Sequence, residues 1–187
     1  MNILISGVGG QGTLLSSRIL GNVALNLGYD VKLSEVHGMA QRGGSVVTHV
    51  RYAEKVYSPI IDLGMADIIV AFEELEAVRA LPYLKKDGRI FVNSRQIMPL
   101  PVLSGAAEYP TDIREKIKQQ VKDAVFVDAL ELAELSGNKR TLNTVMLGVV
   151  AKATGIGREH FIAAIKQTVK PALLEVNLKA FDLGFKL

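Results

Sequence analysis

The chain of 187 residues contains no cysteine. Disulfide bonds, thiolate nucleophiles, iron–sulfur ligation by cysteine and cysteine-based zinc sites are therefore all excluded from it. Histidine is scarce as well, because His37, His49 and His160 are the only three in the sequence. Three histidines at scattered positions make a poor metal site.

Long apolar runs and a strong net charge are also missing. No apolar run approaches the roughly 18 residues that indicate a membrane-spanning helix. Residues 1–10 enter a predicted strand and a glycine loop directly, without the basic region or cleavage site of a signal peptide. The net charge of +3 comes from interleaved acidic and basic residues and is too mild to indicate nucleic-acid binding. We therefore expect a soluble, cytoplasmic protein.

The remaining composition, 49% hydrophobic and 22% charged, is that of a globular protein, and the length predicts one domain over residues 1–187. Short apolar or alternating runs predict strands at residues 2–6, 29–34, 45–52, 66–72, 89–93 and 124–128. Helical spacing predicts helices at residues 12–27, after the pair Glu73-Glu74, and at 112–122, 129–135, 142–153, 159–169 and 171–183.

This alternation predicts an α/β fold with a Rossmann-like, doubly wound and mostly parallel sheet. The helices after residue 128 form a C-terminal tail that we expect on one face or edge of the sheet. Asp87-Gly88 is predicted to form a turn. Three prolines in residues 94–111 favour an extended excursion over a helix there.

A glycine loop, Gly7-Val8-Gly9-Gly10-Gln11-Gly12, separates the first predicted strand from the first helix and matches GxGxxG. Such a loop turns tightly, lets a phosphate approach the backbone and places it at a helix N-terminus. Glu35 lies at the end of the second predicted strand. Its distance along the sequence from the glycine loop is about that of the acidic residue that binds a ribose hydroxyl in dinucleotide-binding proteins. The alternative is a turn that only packs a helix on a strand, and the amide of Gln11 is unusual for a dinucleotide loop.

The second polar loop, EVHGMAQRGG at residues 35–44, contains a histidine and an arginine beside glycines. His37 has the chemistry of a general base, but a helix cap or a partner contact uses the same side chain. Arg42 suits a phosphate or a carboxylate, unless it is merely solvated next to a turn. His49 and Arg51 share one face of the next strand, which we expect to be exposed or part of an interface. No spacing here forms a catalytic constellation.

The residues at the start of two predicted helices each have two possible roles. Thr141 is a candidate N-cap for a helix that Asn143 and Thr144 open, and this helix belongs either to the core or to a partner interface. Glu73 and Glu74 either face a ligand crevice or complement the dipole of the helix they begin.

The sequences of the two loops, taken together, resemble those of a known protein family. GVGGQG followed by SEVHGMAQRGGSVVTHVR resembles the gamma-subunit family of the pyruvate and 2-oxoacid:ferredoxin oxidoreductases. NTVMLG at residues 143–148 and VNLKAFDLG at residues 176–184 extend the resemblance over nearly the whole chain. The motif HGMAQRGG favours the indolepyruvate branch of the family, since the corresponding loop in relatives dedicated to pyruvate tends to read YG-x-E-x-RGG.

The resemblance implies one subunit of a larger enzyme. The family decarboxylates 2-oxo acids oxidatively to acyl-coenzyme A and passes electrons through iron–sulfur clusters to ferredoxin, with thiamine diphosphate as the electron sink. The chain lacks cysteines and a GDG…N stretch for magnesium and thiamine diphosphate, so a larger alpha subunit is expected to hold these groups.

The two loops are then expected to face the partner's active site, to help close it or to receive part of coenzyme A. The residues expected to form this surface are Gly7, Gly9, Gly10, Gln11, Gly12, Glu35, His37, Gln41, Arg42, Gly43 and Gly44. No catalytic residue and no metal ligand is assigned to the chain. A free-standing nicotinamide or flavin enzyme and a non-enzymatic ligand sensor are the alternatives.

Overall fold

The computed structural model describes residues 1–38 and 43–187. The strands are β1 (Asn2–Val8), β2 (Asp30–His37), β3 (Ser45–Ala53), β4 (Ala66–Ala71), β5 (Leu84–Asn93) and β6 (Val125–Val127). They form one sheet in the order β2-β3-β1-β4-β5-β6. β1, β4, β5 and β6 pair in parallel, whereas β3 runs antiparallel to both β1 and β2. The prediction of a mostly parallel sheet is confirmed.

Helices cover both faces of this sheet. They are α1 (Thr13–Asn26), α2 (Glu74–Ala80), α3 (Leu100–Leu103), α4 (Ile113–Gln120), α5 (Ala129–Ser136), α6 (Leu142–Thr154), α7 (Arg158–Thr168) and α8 (Leu174–Phe185). α2 and α4 pack on one face, and α1 packs on the other with α5 to α8. The tail of helices therefore lies on one face, as predicted. No helix in the described part of the chain is long and apolar enough to cross a membrane.

The central strands β1 and β4 are mainly apolar because both of their faces are buried. In β4, Ile68 and Val70 join the core on the α1 side, while Ile69 and Ala71 join the core on the α2 side. This alternation follows from the two-residue period of a strand.

Two sequence predictions about loops are wrong. Asp87 and Gly88 do not form a turn but lie within β5, where the pairing with β4 shifts register between Ala66 and Ile68. A Cβ on Gly88 would lie 2.6 Å from the Leu84 side chain and 3.0 Å from the Ala66 carbonyl, so the glycine permits close approach at a bulge. The proline-containing excursion also includes one helical turn, α3, with proline near its start, where the missing N–H is tolerated.

The contact between α6 and α8 depends on two glycines. A Cβ on Gly148 would lie 2.2 Å from the Phe181 carbonyl oxygen, and one on Gly184 would lie 2.0 Å from the Val145 carbonyl oxygen. The two backbones therefore touch at this crossing. NTVMLG and VNLKAFDLG, the two sequence segments that end in these glycines, pack against each other.

The expectation that His49 lies on an exposed or interface face is also wrong. His49 is only 4% exposed, and its Nδ1 accepts a hydrogen bond of 3.1 Å from the Ile61 amide. Arg51 Nη1 donates to the carbonyls of Ser58 and Ile60 at 3.0 and 2.8 Å. The loop between β3 and β4 therefore covers this face. Burial, followed by the charge of Arg51, lowers the pKa of His49.

The buried imidazole predicts a pH dependence of stability. Because the pKa of His49 is lower in the folded than in the unfolded chain, its stabilising contribution is present above the unfolded pKa and is lost as the pH falls. We expect the free energy of unfolding to decrease as the pH falls from about 7.5 to about 5, through the ordinary histidine range. Urea denaturation at each pH measures this.

The matched control is His49→Gln, which should be less stable at neutral pH but should show a shallower pH slope. Aspartates with a lowered pKa, such as Asp30 beside Lys32, titrate below this range and do not produce the slope. An unchanged slope in the variant would show that another group is responsible.

Candidate functional site

The two glycine loops meet at the carboxyl edge of the sheet. β3 runs antiparallel beside β1, with Ser45 opposite Val8, so the loop that precedes β3 lies next to the loop that follows β1. The Gly9 amide donates to the Gly44 carbonyl at 2.9 Å, and the Gly43 amide donates to the Gly9 carbonyl at 3.4 Å. Gln41 and Arg42, two of the predicted site residues, lie outside the described residues.

The Gln11 side chain links the first loop to the end of β4. Its Oε1 accepts from the Val8 amide at 2.6 Å, and its Nε2 donates to the Phe72 carbonyl at 2.9 Å. A Cβ on Gly7 would lie 2.9 Å from the same Oε1, so Gly7 leaves room for this side chain. Both ends of the amide are thus engaged by backbone, and Gln11 shapes the loop.

Glu35 is likewise engaged within the chain. Its Oε2 accepts from the hydroxyls of Thr13 and Thr48 at 3.2 and 3.3 Å. In the dinucleotide-binding fold the second strand pairs directly with the first, whereas β3 separates them here. His37 is exposed at the end of β2, where its Nδ1 donates to the Gly38 carbonyl at 3.0 Å.

The N-terminus of α1 faces the same region without a side-chain cap. Gly12 occupies the N-cap position with φ of 86°, and the first turn of α1 contains no acidic residue. Its N–H groups and the positive end of the helix dipole therefore favour an anion. Gly10 is also left-handed, with φ of 103°.

A cleft of about 710 Å³ opens beside the first loop. Its first wall is the backbone from Val8 to Gly12 together with Gly43. The second wall comes from the segment after β5, from α5 and the turn that follows it, and from the start of α6. It includes Arg95, Ile97, Leu130, Glu134, Lys139, Arg140, Leu142 and Asn143. A cleft of this size, at the strand ends of an α/β sheet, has the form of a ligand site.

Local sequence patterns do not assign these second-wall residues to the site. Arg95 had one usable signal, because it directly follows a parallel strand at the edge where the glycine loop lies. Lys139 and Arg140 had none, since they lie in a short 3₁₀ turn, Lys139–Thr141, far along the chain from both loops.

The buried glutamates of α2 do not line the cleft. Glu73 caps α2 by accepting from the Glu76 amide at 2.9 Å, and it also accepts from the Tyr109 hydroxyl at 2.5 Å. Burial, and then this hydrogen bond to Glu73, raises the pKa of Tyr109. The helix-dipole interpretation of Glu73 therefore describes it better than the crevice interpretation. Glu76 accepts from the Ser45 hydroxyl at 2.5 Å, directly after the second glycine loop.

The first residues of α6 divide between the core and the cleft. Thr141 occupies the N-cap position, but its hydroxyl donates to the Asn138 carbonyl at 2.7 Å and makes no capping bond. Thr144 donates to Asn177 Oδ1 of α8 at 2.6 Å, inside the core. Asn143 lines the cleft.

A second cleft of about 490 Å³ lies at the opposite end of the sheet, around residues 84–89 and 120–123, away from both glycine loops. Within residues 1–38 and 43–187, no group of three or more histidine, aspartate or glutamate side chains is arranged to hold a metal ion.

The sequence matches the profile of the pyruvate ferredoxin/flavodoxin oxidoreductases over residues 2–187. The chain belongs to this family. Indolepyruvate oxidoreductase subunit IorB of Pyrococcus horikoshii is 44% identical to it over 99% of this chain and 94% of the relative. The common subunit gamma of the pyruvate/ketoisovalerate oxidoreductases of Pyrococcus abyssi is 31% identical over 100% of this chain and 96% of the relative. The resemblance carried by the glycine loops is confirmed.

A solved structure shows the same fold inside a longer chain. The 2-oxoglutarate:ferredoxin oxidoreductase from Magnetococcus marinus, with 2-oxoglutarate, coenzyme A and succinyl-CoA bound, matches with a TM-score of 0.76 and 17% identity. The match covers 100% of this chain and 30% of that one. The same fold thus occurs within a longer polypeptide, whereas the IorB relative is nearly the same length as this chain.

The contact between Gly12 and Asn143 predicts unequal effects of two alanine substitutions. Gly12 and Gly28 have nearly the same φ, 86° and 85°, but a Cβ on Gly12 would lie 3.0 Å from Asn143 whereas Gly28 faces open space. We expect Gly28→Ala to lower the free energy of unfolding by about 1 kcal/mol through backbone strain alone. Gly12→Ala should cost about 2–3 kcal/mol because Asn143 must also shift.

Chemical denaturation of the two variants measures the difference. Equal losses would mean that Asn143 moves freely and that the loop does not pack against α6.

Proposed function

We propose that residues 1–187 act as one domain that forms the small subunit of a cytoplasmic 2-oxo acid:ferredoxin oxidoreductase. The enzyme decarboxylates indolepyruvate or another arylpyruvate oxidatively to the acyl-coenzyme A and passes the electrons to ferredoxin. In this proposal the chain completes the active site or the coenzyme A region of a larger subunit. That partner carries thiamine diphosphate, magnesium and the iron–sulfur clusters.

The aryl substrate is supported by the pattern of relatives. Identity is 44% to an indolepyruvate oxidoreductase subunit and 31% to a pyruvate/ketoisovalerate subunit, at nearly equal coverage. The motif HGMAQRGG also resembles the corresponding loop of the indolepyruvate branch. The larger part of the substrate pocket belongs to the partner in this proposal.

The composite site is supported chiefly by the union of the two glycine loops at one cleft. The Gly9–Gly44 backbone hydrogen bond joins them at the rim of the 710 Å³ cavity. No nucleophile and base are paired there within the described residues, so the geometry suits binding and closure rather than a chemical step. When bound in the partner, thiamine diphosphate supplies the electron sink for decarboxylation.

Three observations support coenzyme A as the ligand of this cleft. It carries several phosphate groups, and the uncapped N-terminus of α1 faces the cavity with a positive dipole end. Arg42 adds a cation from the second loop in the sequence. The solved 2-oxoglutarate:ferredoxin oxidoreductase that shares this fold was crystallised with coenzyme A.

Reconstitution with the larger subunit tests the proposal. We expect reduction of ferredoxin or a viologen dye that requires the 2-oxo acid, coenzyme A and both chains, with indolepyruvate used in preference to pyruvate. Because Arg42 is assigned to phosphate, Arg42→Ala should raise the KM for coenzyme A by about tenfold and leave complex assembly intact. Steady-state kinetics and size-exclusion chromatography measure the two effects.

Activity of the purified chain alone, or micromolar binding of NAD(H) or a flavin, would instead favour the free-standing oxidoreductase. Failure of the reconstituted pair to turn over any 2-oxo acid would contradict the proposal. Arg51→Ala is a control of equal charge, because Arg51 supports the loop between β3 and β4 at the other end of the sheet.

A further inference from the structure

An exposed apolar loop lies beside the cleft, in the segment that connects β5 to α4. We call residues 98–108 of this segment the apolar lobe. Leu100 and Leu103 are 77% and 71% exposed, and Met98 is exposed as well. None of the residues of the lobe belongs to either core in the described part of the chain. The lobe therefore adds large apolar side chains to the surface without adding any to the core.

One carboxylate oxygen joins the two ends of the lobe. Glu73 Oε1 accepts from the Ile97 amide at 3.0 Å, just before the lobe, and from the Tyr109 hydroxyl at 2.5 Å, just after it. Glu73 is 1% exposed, so water does not compete for these bonds. The two ends of the lobe are therefore held close together at a buried point.

The Glu74 carboxylate joins the same two segments. Its Oε2 accepts from Gln96 Nε2 at 2.9 Å, before the lobe, and its Oε1 accepts from Arg114 Nε at 2.7 Å, after the lobe. A buried carboxylate is costly without such partners, and Glu74 is 2% exposed. The base of the lobe therefore has a fixed position at the edge of the sheet.

The lobe also has a fixed shape of its own. The Pro99 carbonyl accepts from the Leu103 amide at 3.1 Å, and the Pro101 carbonyl accepts from the Ala106 amide at 2.8 Å. Gly105, with φ of 75°, ends the helical turn α3 in the left-handed conformation. The proline rings restrict the backbone further, because each of them fixes φ. The exposed side chains are thus carried on a preorganised backbone.

Exposed leucines on such a backbone are typical of a surface that binds another protein. Leu100 and Leu103 are three positions apart on α3 and share one side of it. A contiguous apolar surface marks an interaction site, and a preorganised segment loses little conformational entropy on binding. Residues 98–107 include no charged side chain, so we expect the surface that receives them to be apolar.

The position of the lobe favours one occupant. Arg95 and Ile97 line the cleft, and Met98 follows them directly along the chain. The lobe therefore continues the surface that, in the proposed function, faces the larger subunit.

We infer that the apolar lobe docks Leu100 and Leu103 into an apolar pocket of the larger subunit and thereby holds the cleft against the partner's active site. This inference rests on the proposed function, which supplies the partner and its side of approach. The lobe has a docking role only, and it contacts neither the 2-oxo acid nor coenzyme A.

Removal of the two leucines should weaken assembly and leave the chemistry intact. Leu100→Ser/Leu103→Ser should raise the Kd between the two chains by about tenfold per leucine, because burial of an aliphatic side chain is lost at each position. Titration of the larger subunit with the small chain, followed by viologen reduction, measures this Kd. At a saturating concentration of the variant, kcat and the KM for coenzyme A should equal those of the unmodified complex. The urea midpoint of the separate variant chain should not change, since both leucines are exposed there.

Tyr57→Ser/Leu63→Ser is the matched control. These side chains are 90% and 66% exposed in the loop between β3 and β4, at the opposite end of the sheet, and their loss should leave the Kd unchanged. An unchanged Kd in the lobe variant, or an equal rise in both variants, would overturn the inference. A raised KM for coenzyme A at saturation would also overturn it, by assigning the lobe to the ligand site. So would a dimer of the small chain alone that the lobe substitutions dissociate in size-exclusion chromatography, since a second copy would then occupy the lobe.

The two proposals fail in different ways. If the unmodified pair reduces the dye with a 2-oxo acid and coenzyme A while the lobe variant assembles with an unchanged Kd, the proposed function stands and this inference is wrong. If the unmodified chains form no complex, the proposed function is wrong and this inference is wrong with it.

Discussion

β3 runs antiparallel between β1 and β2, and this pairing decides where a site can form. With Ser45 opposite Val8, the start of β3 lies at the end of β1, so the two glycine loops become neighbours although more than thirty positions separate them. The same arrangement separates β2 from β1, which distinguishes the site from a dinucleotide pocket. The antiparallel direction of β3 thus brings the two loops together. It also places Glu35 where it accepts hydrogen bonds from Thr13 and Thr48.

Buried polar bonds then fix the walls around that pair. Gln11 connects the first loop to the end of β4, and Glu76 holds Ser45 at the end of the second loop. Glu73 and Glu74 hold the segment after β5. Because a buried carboxylate without partners is costly, these residues tolerate few other arrangements. Walls fixed in this way suit the proposed role of the cleft, in which a partner chain performs the chemistry.

The sequence segments that mark the family divide into two physical roles. Residues of GVGGQG and Gly43 line the cleft, whereas NTVMLG and VNLKAFDLG meet each other where α6 crosses α8. Gly148 and Gly184 permit that crossing, and Thr144 bonds to Asn177 across it. Only Asn143 of the later segments also lines the cleft. A motif that identifies a family can therefore be largely a packing motif.

The sequence by itself determined the elements and the first wall of the site. Apolar runs identified the core strands, helical spacing identified the tail, and GVGGQG located the loop before α1, because these signals are local. The tertiary structure alone decided features that depend on distant residues. Gly88 permits close approach within β5, His49 is buried under a loop, and Arg95 and Arg140 reach one cleft. Neither a burial partner nor the opposite wall of a cavity is encoded in neighbouring positions, since both arise only when separate segments pack together.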